Sequence, residues 1–403
     1  MHLKKPTAKS YMMWLIASLF YTYVLIVRNL PVITSVQLQN IFTMSETFFG
    51  QVRGIYFIFY CIAHLPMIYL LDRFGPKKIL PIAMFLCVIG ILPMVCSVSP
   101  YALLIGRAIL GLGSSAGILG IFKINRALFP ENYFSRMLGI SATIGVIGSF
   151  ISMNLFRSLF LYVGYYKGVY ITACIPIILA LFVMLFSPNI KLETKHGFFD
   201  EIFALIKNKR FLFVAFVGGL MIGPMEGFVD GWSVPLLETL YDIKSKSAQN
   251  ISSFLYFGFA IGSPIVAFVA DITGLHKKTF GICGLMMGIL MLGLLFLPIN
   301  KSYLIFFYLM IGFFSAYQVV CIYLAGKVVP TYLKNISGAG CNMITMSFGY
   351  MFHTVIAFLM NGRGVTVDNV IVYSNLSIIT GIIIVPILCI IAYVLCNWTK
   401  VID

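Results

Sequence analysis

Charge is scarce in this chain. Only 10% of its 403 residues are Asp, Glu, Lys or Arg, against about a quarter in a soluble domain. Acids are rarest, 13 against 28 lysines and arginines. With 60% of residues hydrophobic, no water-soluble core absorbs so much apolar surface, so the bilayer must be the solvent. The alternating strands of about ten residues that build a membrane barrel are absent, so helices are expected. No glycine-rich phosphate loop followed by Lys is present, which excludes ATP as a driver. No nucleophile–base or metal-ligand spacing stands out, so neither an enzyme nor a cofactor is expected. The nine cysteines include no C-x-x-C pair and lie within or at the ends of apolar runs, as small hydrophobes do. The first apolar run is too long for a signal-peptide core and has no small-residue cleavage site, so a cleavable leader is not expected.

What is present is a series of apolar runs of about 18–25 residues, each long enough to cross a hydrocarbon core of about 30 Å as a helix. Twelve are expected: Met12–Val36, Thr47–Leu71, Ile79–Cys96, Tyr101–Phe122, Met137–Phe156 and Val169–Phe186, then Phe211–Leu237, Ile251–Ala270, Thr279–Leu297, Tyr303–Leu324, Ile336–Leu359 and Val370–Leu395. The fold class is therefore an all-α membrane protein of two six-helix bundles, residues 1–187 and 211–403, joined by a linker, 188–210. In that linker Phe198, Phe199, Ile202, Phe203 and Ile206 share one helical face, the pattern of a helix lying on a membrane surface.

The two halves are copies. Asp72-Arg73-Phe74-Gly75-Pro76-Lys77-Lys78 follows the second run, and Asp271-Ile272-Thr273-Gly274-Leu275-His276-Lys277-Lys278 follows the eighth. The Asp-to-Asp and Gly-to-Gly spacings are equal. Pro130 and Pro330 follow the fourth and tenth runs, and Gly111 and Gly312 hold nearly equal places within them. Duplicated halves around a central path are a transporter architecture. Nineteen lysines and arginines fall on segments facing one side of the membrane and six on the other. Because cations gather inside, both termini are expected in the cytoplasm. The net charge of +15 sits in these short loops, which rejects a nucleic-acid partner.

These residues resemble the major facilitator superfamily, whose loop after the second helix reads G-x-x-x-D-R-x-G-R/K-R/K. Asp72, Arg73, Gly75, Lys77 and Lys78 match it, with Pro76 inserted and Ile68 in place of the leading glycine. Arg107 with Gly111 and Gly113 is similar to the family's fourth-helix signature. Tyr21-x-Tyr23, Arg28-x-x-Pro31, the run from Gly106-Arg107 to Lys123, and Gly231-Trp232-Ser233-Val234-Pro235 resemble a narrower branch, the phagosomal nutrient transporters of intracellular bacteria. That branch implies import of amino acids or nucleosides. It also implies an acid four residues before the first-helix Arg, where this chain has Val24.

Five charges are embedded in the spans: Arg28, Arg53, Arg107, Glu226 and Asp230. Each costs about 2.5–3.5 kcal/mol at the bilayer centre, so each needs a reason. The family resemblance implies that helices one, four and seven line the path. Arg28 and Arg107 are then substrate-site candidates: Arg107 is expected to hold a substrate's carboxylate, while Arg28 pairs with Asp230 across the two bundles and helps close the outer side. Glu226, a turn deeper than Asp230 and on the same face of the seventh helix, is the candidate proton carrier, because a desolvated carboxylate takes up protons near neutral pH. Arg53 is expected to reach the outer interface. Tyr21, Tyr317, Gln318 and Asn342 are candidate substrate contacts; His64 and His353 are weaker ones. As a gate we expect Asp72, Arg73, Gly75, Lys77, Lys78, Asp271 and Gly274, the acids pairing with loop cations or with a helix N-terminus.

The expected protein is thus a monomeric secondary transporter of a bacterial inner membrane. It would import a small molecule, an amino acid first, with protons. An exporter of the same fold and a non-transporting membrane receptor are the alternatives.

Overall fold

The computed structural model describes residues 6–44, 46–97, 99–187, 197–229, 231–361, 365–367, 370–372 and 374–398. Its contacts divide the chain into two compact units, Met1–Phe203 and Ala204–Asp403. The division falls inside the linker helix Phe198–Lys207.

In the first unit the spans are Ala8–Ile33, Glu46–Phe74, Pro76–Cys96, Pro100–Leu128, Phe134–Val163 and Tyr165–Phe186. In the second, Ser245–Thr273, His276–Phe296, Lys301–Lys327, Lys334–Asn361 and Asn375–Trp398 are continuous or nearly so. The seventh is not. It runs as Lys209–Leu220, a π-helical turn Gly223–Phe228, and a second helix Ser233–Tyr241. Among the described residues eleven helices are therefore long and apolar enough to cross a membrane, and the seventh run is divided into pieces. Its sequence explains the break. Gly218 and Gly219 weaken the helix, and Pro224 brings no N–H to the Leu220 carbonyl. Beyond it the ladder shifts by one residue, Val229 N–H donating to the Pro224 carbonyl at 3.2 Å.

One expected boundary moves for a different reason. The twelfth helix begins at Asn375, while Val370–Val372 pairs antiparallel with Val365–Val367. The valines extend the apolar run, but they are strand formers.

The packing repeats as the sequence does. The second span lies against the fourth, the third against the sixth and the first against the fifth; the eighth against the tenth, the ninth against the twelfth and the seventh against the eleventh. In both units the key contact is made backbone to backbone through glycine. A Cβ on Gly111 would stand 2.4 Å from the Tyr56 carbonyl oxygen, and one on Gly312 only 1.9 Å from that of Leu255. The duplicated loops turn on glycine as well, Gly75 at φ +80° and Gly274 at φ +68°, where a side chain is strained.

A valine at position 312 has no room. Gly312→Val is expected to lower the unfolding midpoint sharply, by an overpacking cost of about 3 kcal/mol or more, with aggregated material on size-exclusion chromatography in detergent. Gly54→Ala, where the added carbon meets nothing within 4 Å, is expected to match the parent.

Candidate functional site

In the first unit Arg107 is the anchor. It is 2% exposed and its guanidinium joins three spans. Nη1 donates to the Val27 carbonyl at 2.9 Å, Nη2 to the Arg28 carbonyl at 3.1 Å and Nε to the Val52 carbonyl at 3.4 Å, while the group lies 4.7 Å above the Tyr56 ring. The local sequence explains this. Pro31 sits inside the first helix and has no N–H for the carbonyl four residues back. That carbonyl belongs to Val27, and Arg107 supplies the missing donor.

Arg28 is half-buried, its guanidinium carbon 5.6 Å from the Phe57 ring. Its own carbonyl is held by Arg107. Tyr21 packs over Gly145, where an added Cβ would stand 2.6 Å from its ring. Arg53 is exposed. His64 is fully buried, its Nδ1 2.7 Å from the Tyr60 carbonyl and its ring edge-on to the Tyr60 ring.

In the second unit the broken seventh span gathers the candidates. Glu226 lies in the π turn, half-buried, against Gly349 of the eleventh span; a Cβ on Gly349 would lie 2.8 Å from the Glu226 Cβ. π turns place side chains where a regular helix does not and are frequent at functional sites. Asp230, expected to share a face with Glu226, lies outside the described residues. Tyr317 is fully buried, and its hydroxyl donates to the Gly218 carbonyl at 2.8 Å, covering the end of the helix Lys209–Leu220. Gln318 has a buried amide nitrogen with no hydrogen-bond partner. Asn342 is buried, and its carbonyl accepts from the Thr345 hydroxyl. His353 packs on Gly231.

The residues expected to form a gate separate into two arrangements. Asp72 is paired with Lys123, both buried. Lys123 falls inside the helix Ala116–Leu128 and not in the loop beyond it, because the fourth span is longer than its apolar run. Glu201, from the linker helix, is 3% exposed and stands near both, and Arg126 is flanked by Asp72 and Glu131. Lys123 and Glu201 are the partners that the sequence reading missed. Arg73 is exposed and its Nη1 donates to the Tyr69 hydroxyl at 3.2 Å. Lys77 is half-buried and Lys78 exposed. In the second unit Asp271 pairs with His276 of its own loop at 3.1 Å, and the imidazole stacks on Tyr323.

The sequence profile of the Major Facilitator Superfamily matches residues 13–240, more than half of the chain. The chain therefore belongs to the major facilitator superfamily and is a multi-pass membrane transporter. An uncharacterized transporter of Buchnera aphidicola subsp. Schizaphis graminum (strain Sg) is 28% identical over 166 residues, which span 41% of this chain and 41% of that protein. The match thus covers about two fifths of that relative's length. Among solved structures, the E. coli fucose:proton symporter FucP superposes with a TM-score of 0.76 at 17% identity, over 97% of this chain and 99% of that one. The proton:xylose symporter XylE, bound to 6-bromo-6-deoxy-D-glucose, gives 0.71 at 13% identity over 97% and 95%. These likenesses establish the fold.

Two measurements check this geometry. Arg107→Ala leaves the Val27 carbonyl without a donor and takes away the second donors of the Arg28 and Val52 carbonyls, and is expected to lower stability by more than about 2 kcal/mol. Arg28→Ala should stay within about 1 kcal/mol of the parent in the same detergent unfolding assay. The second concerns Glu201, whose carboxyl burial and the neighbouring Asp72 push up from its ordinary 4.5 to about 7, against the pull of Lys123. The folded chain then binds a proton that the unfolded chain has released. Stability is therefore greatest below that window and is lost as pH rises through it. Glu201→Gln should flatten this slope in unfolding midpoints taken across pH 4.5 to 7; an unchanged slope would assign it to another group.

Proposed function

We propose that this chain imports an amino acid across a bacterial inner membrane, coupled to protons, by alternating access of its two units. The observation that carries the proposal is the unequal placement of embedded charge on two otherwise repeated halves. The first unit holds Arg28 and Arg107 on spans one and four. The second holds Glu226 on a broken span. Cationic groups in one half suit a carboxylate-bearing substrate. An acid in a π turn suits a site that is loaded and unloaded with a proton.

The contacts refine the roles. Arg107 has three donors committed to carbonyls, so we assign the substrate carboxylate to Arg28 and make Arg107 its positioning residue, holding the Arg28 backbone. Tyr21 lies two helical turns before Arg28 on the same face. Gln318, with its buried amide, stays a candidate substrate contact of the second unit, and Asn342 another. Tyr317 serves by bracing the broken helix. Asp230 remains proposed as a second acid of the coupling site. Asp72 with Lys123 in one half, and Asp271 with His276 in the other, form the proposed gate elements, Gly75 and Gly274 turning the loops. Both termini are placed in the cytoplasm by the lysine and arginine distribution, and the working unit is a monomer in the lipid bilayer.

Proton coupling is also supported by the solved neighbours, both named as proton symporters. Their sugars give a second reading, a neutral sugar as substrate, which the embedded arginines disfavour. Proteoliposome counterflow with radiolabelled amino acids, and with fucose and xylose as controls, separates the two. It also separates either from a non-transporting receptor, and drug-resistance profiles of an overexpressing strain test export.

For coupling, Glu226→Gln is expected to abolish substrate-driven pH change in vesicles while counterflow, which needs no net proton movement, persists. Full coupling in that variant would remove Glu226 from the mechanism. Arg28→Ala is expected to lower counterflow at least tenfold, the loss of a charge-assisted contact of about 1.5–3 kcal/mol.

A further inference from the structure

Inside the first unit the first four spans bring polar side chains together. Tyr23 comes from the first, Tyr56 from the second, Cys87 from the third and Ser114 from the fourth. All four are at most 1% exposed. Tyr23 lies near Tyr56 and Cys87, and Tyr56 near Ser114 and Cys87. The Cys87 thiol and the Ser114 hydroxyl are 3.9 Å apart, a weak contact for either.

The Tyr23 and Tyr56 hydroxyls have no hydrogen-bond partner among the described residues. Ser114 stands beside the Tyr56 hydroxyl but off hydrogen-bond geometry. A buried phenol usually finds a partner, because a bare buried hydroxyl carries its full desolvation penalty. Here two such groups are neighbours, on two different spans.

The second unit shows the same place built without them. The contact of Gly111 with the Tyr56 carbonyl is repeated by Gly312 with the Leu255 carbonyl, so Leu255 holds the position of Tyr56. The pair Cys87 and Ser114 is repeated by Met287 and Ser315. There the Ser315 hydroxyl is satisfied, 3.3 Å from the Met287 sulfur and 2.9 Å from the Ile311 carbonyl. The repeat offset is 199 from Asp72 to Asp271 and 201 from Gly111 to Gly312. Over that range Tyr23 falls on Ile222, Gly223 or Pro224, none with a polar side chain. Apolar residues therefore serve the fold at this place, and packing alone does not call for two phenols. Cys87 also reaches less far into the bundle than a methionine does.

We propose that the first unit holds an internal water here, bound by the Tyr23, Tyr56 and Ser114 hydroxyls. Buried waters typically make about three hydrogen bonds, and each of these hydroxyls can donate or accept. The water bears on the arginine described above. The Tyr56 ring carries the Arg107 guanidinium at 4.7 Å, and Arg107 holds the carbonyls of Val27 and Arg28. A water on the Tyr56 hydroxyl fixes that ring, and with it the platform of Arg107.

Two measurements on the full chain in detergent test this, and neither depends on what is transported. X-ray radiolytic footprinting oxidises buried side chains that touch bound water. Tyr23 and Tyr56 are expected to be labelled faster, by about fivefold or more, than Tyr308 and Tyr317. Those two are as deeply buried, but their hydroxyls bond to backbone carbonyls. Tyr56→Phe is expected to bring Tyr23 down to the rate of these controls, because the water has lost a partner.

The second measurement is thermal unfolding. Phenylalanine keeps both rings, so the variants are expected to fold. A phenol bound to water loses a hydrogen bond on this change, so Tyr23→Phe and Tyr56→Phe should each lower the midpoint, by about 2 °C or more. In a dry core the same changes remove only a desolvation penalty, and the midpoint rises. Labelling of both tyrosines at the control rate, or a midpoint unchanged or raised in both variants, overturns the proposal.

Discussion

A carbonyl in hydrocarbon has no water to turn to, and the sites of this transporter form where helices leave carbonyls without their usual donors. Pro31 strands the Val27 carbonyl, and Arg107 reaches across from the fourth span to take it. The seventh span breaks after Gly218, and the Tyr317 hydroxyl covers that carbonyl from the tenth. In each unit a side chain that looks like a substrate contact is thus occupied first with the backbone. A broken helix near a polar group is the ordinary way membrane proteins hold irregular backbone at depth. The price of that arrangement is that the bracing residue cannot be varied freely.

The duplication explains the frame and its failures explain the function. Gly111 and Gly312 let the second and fourth, and the eighth and tenth, spans touch along their backbones, so both units are tied by the same kind of contact. The charges do not repeat. Asp72 finds a buried lysine on another span, whereas Asp271 finds a histidine in its own loop. One half therefore holds its loop to the body of the bundle, and the other pairs its aspartate within the loop.

Much of this was legible in the residues. Apolar runs gave the spans, the spacing of Asp72 and Asp271 gave the repeat, and the stripe Phe199, Phe203, Ile206 on the linker helix is exposed. The break in the seventh span was not legible, because its apolar run continues through it; Gly218-Gly219 and Gly223-Pro224 were its only marks. Lys123 read as a loop cation because the apolar run ends at Phe122 while the helix continues for another turn and a half. Which carbonyls Arg107 serves depends on how three spans cross, and no local pattern carries that. Val370–Val372 misled because valine is equally at home in a span and in a strand.

The discontinuous seventh span also bears on how the protein is made. The helix Lys209–Leu220 reaches only about 18 Å at 1.5 Å per residue, well short of the hydrocarbon core. As the chain leaves the ribosome, the first six spans can each enter the bilayer on their own hydropathy. The seventh cannot complete its inner wall until Tyr317 and Gly349 have been synthesised, three and four spans later. Completion of the seventh span therefore waits on the tenth and eleventh, and the segment bearing Glu226 gains its packing only once they are in place.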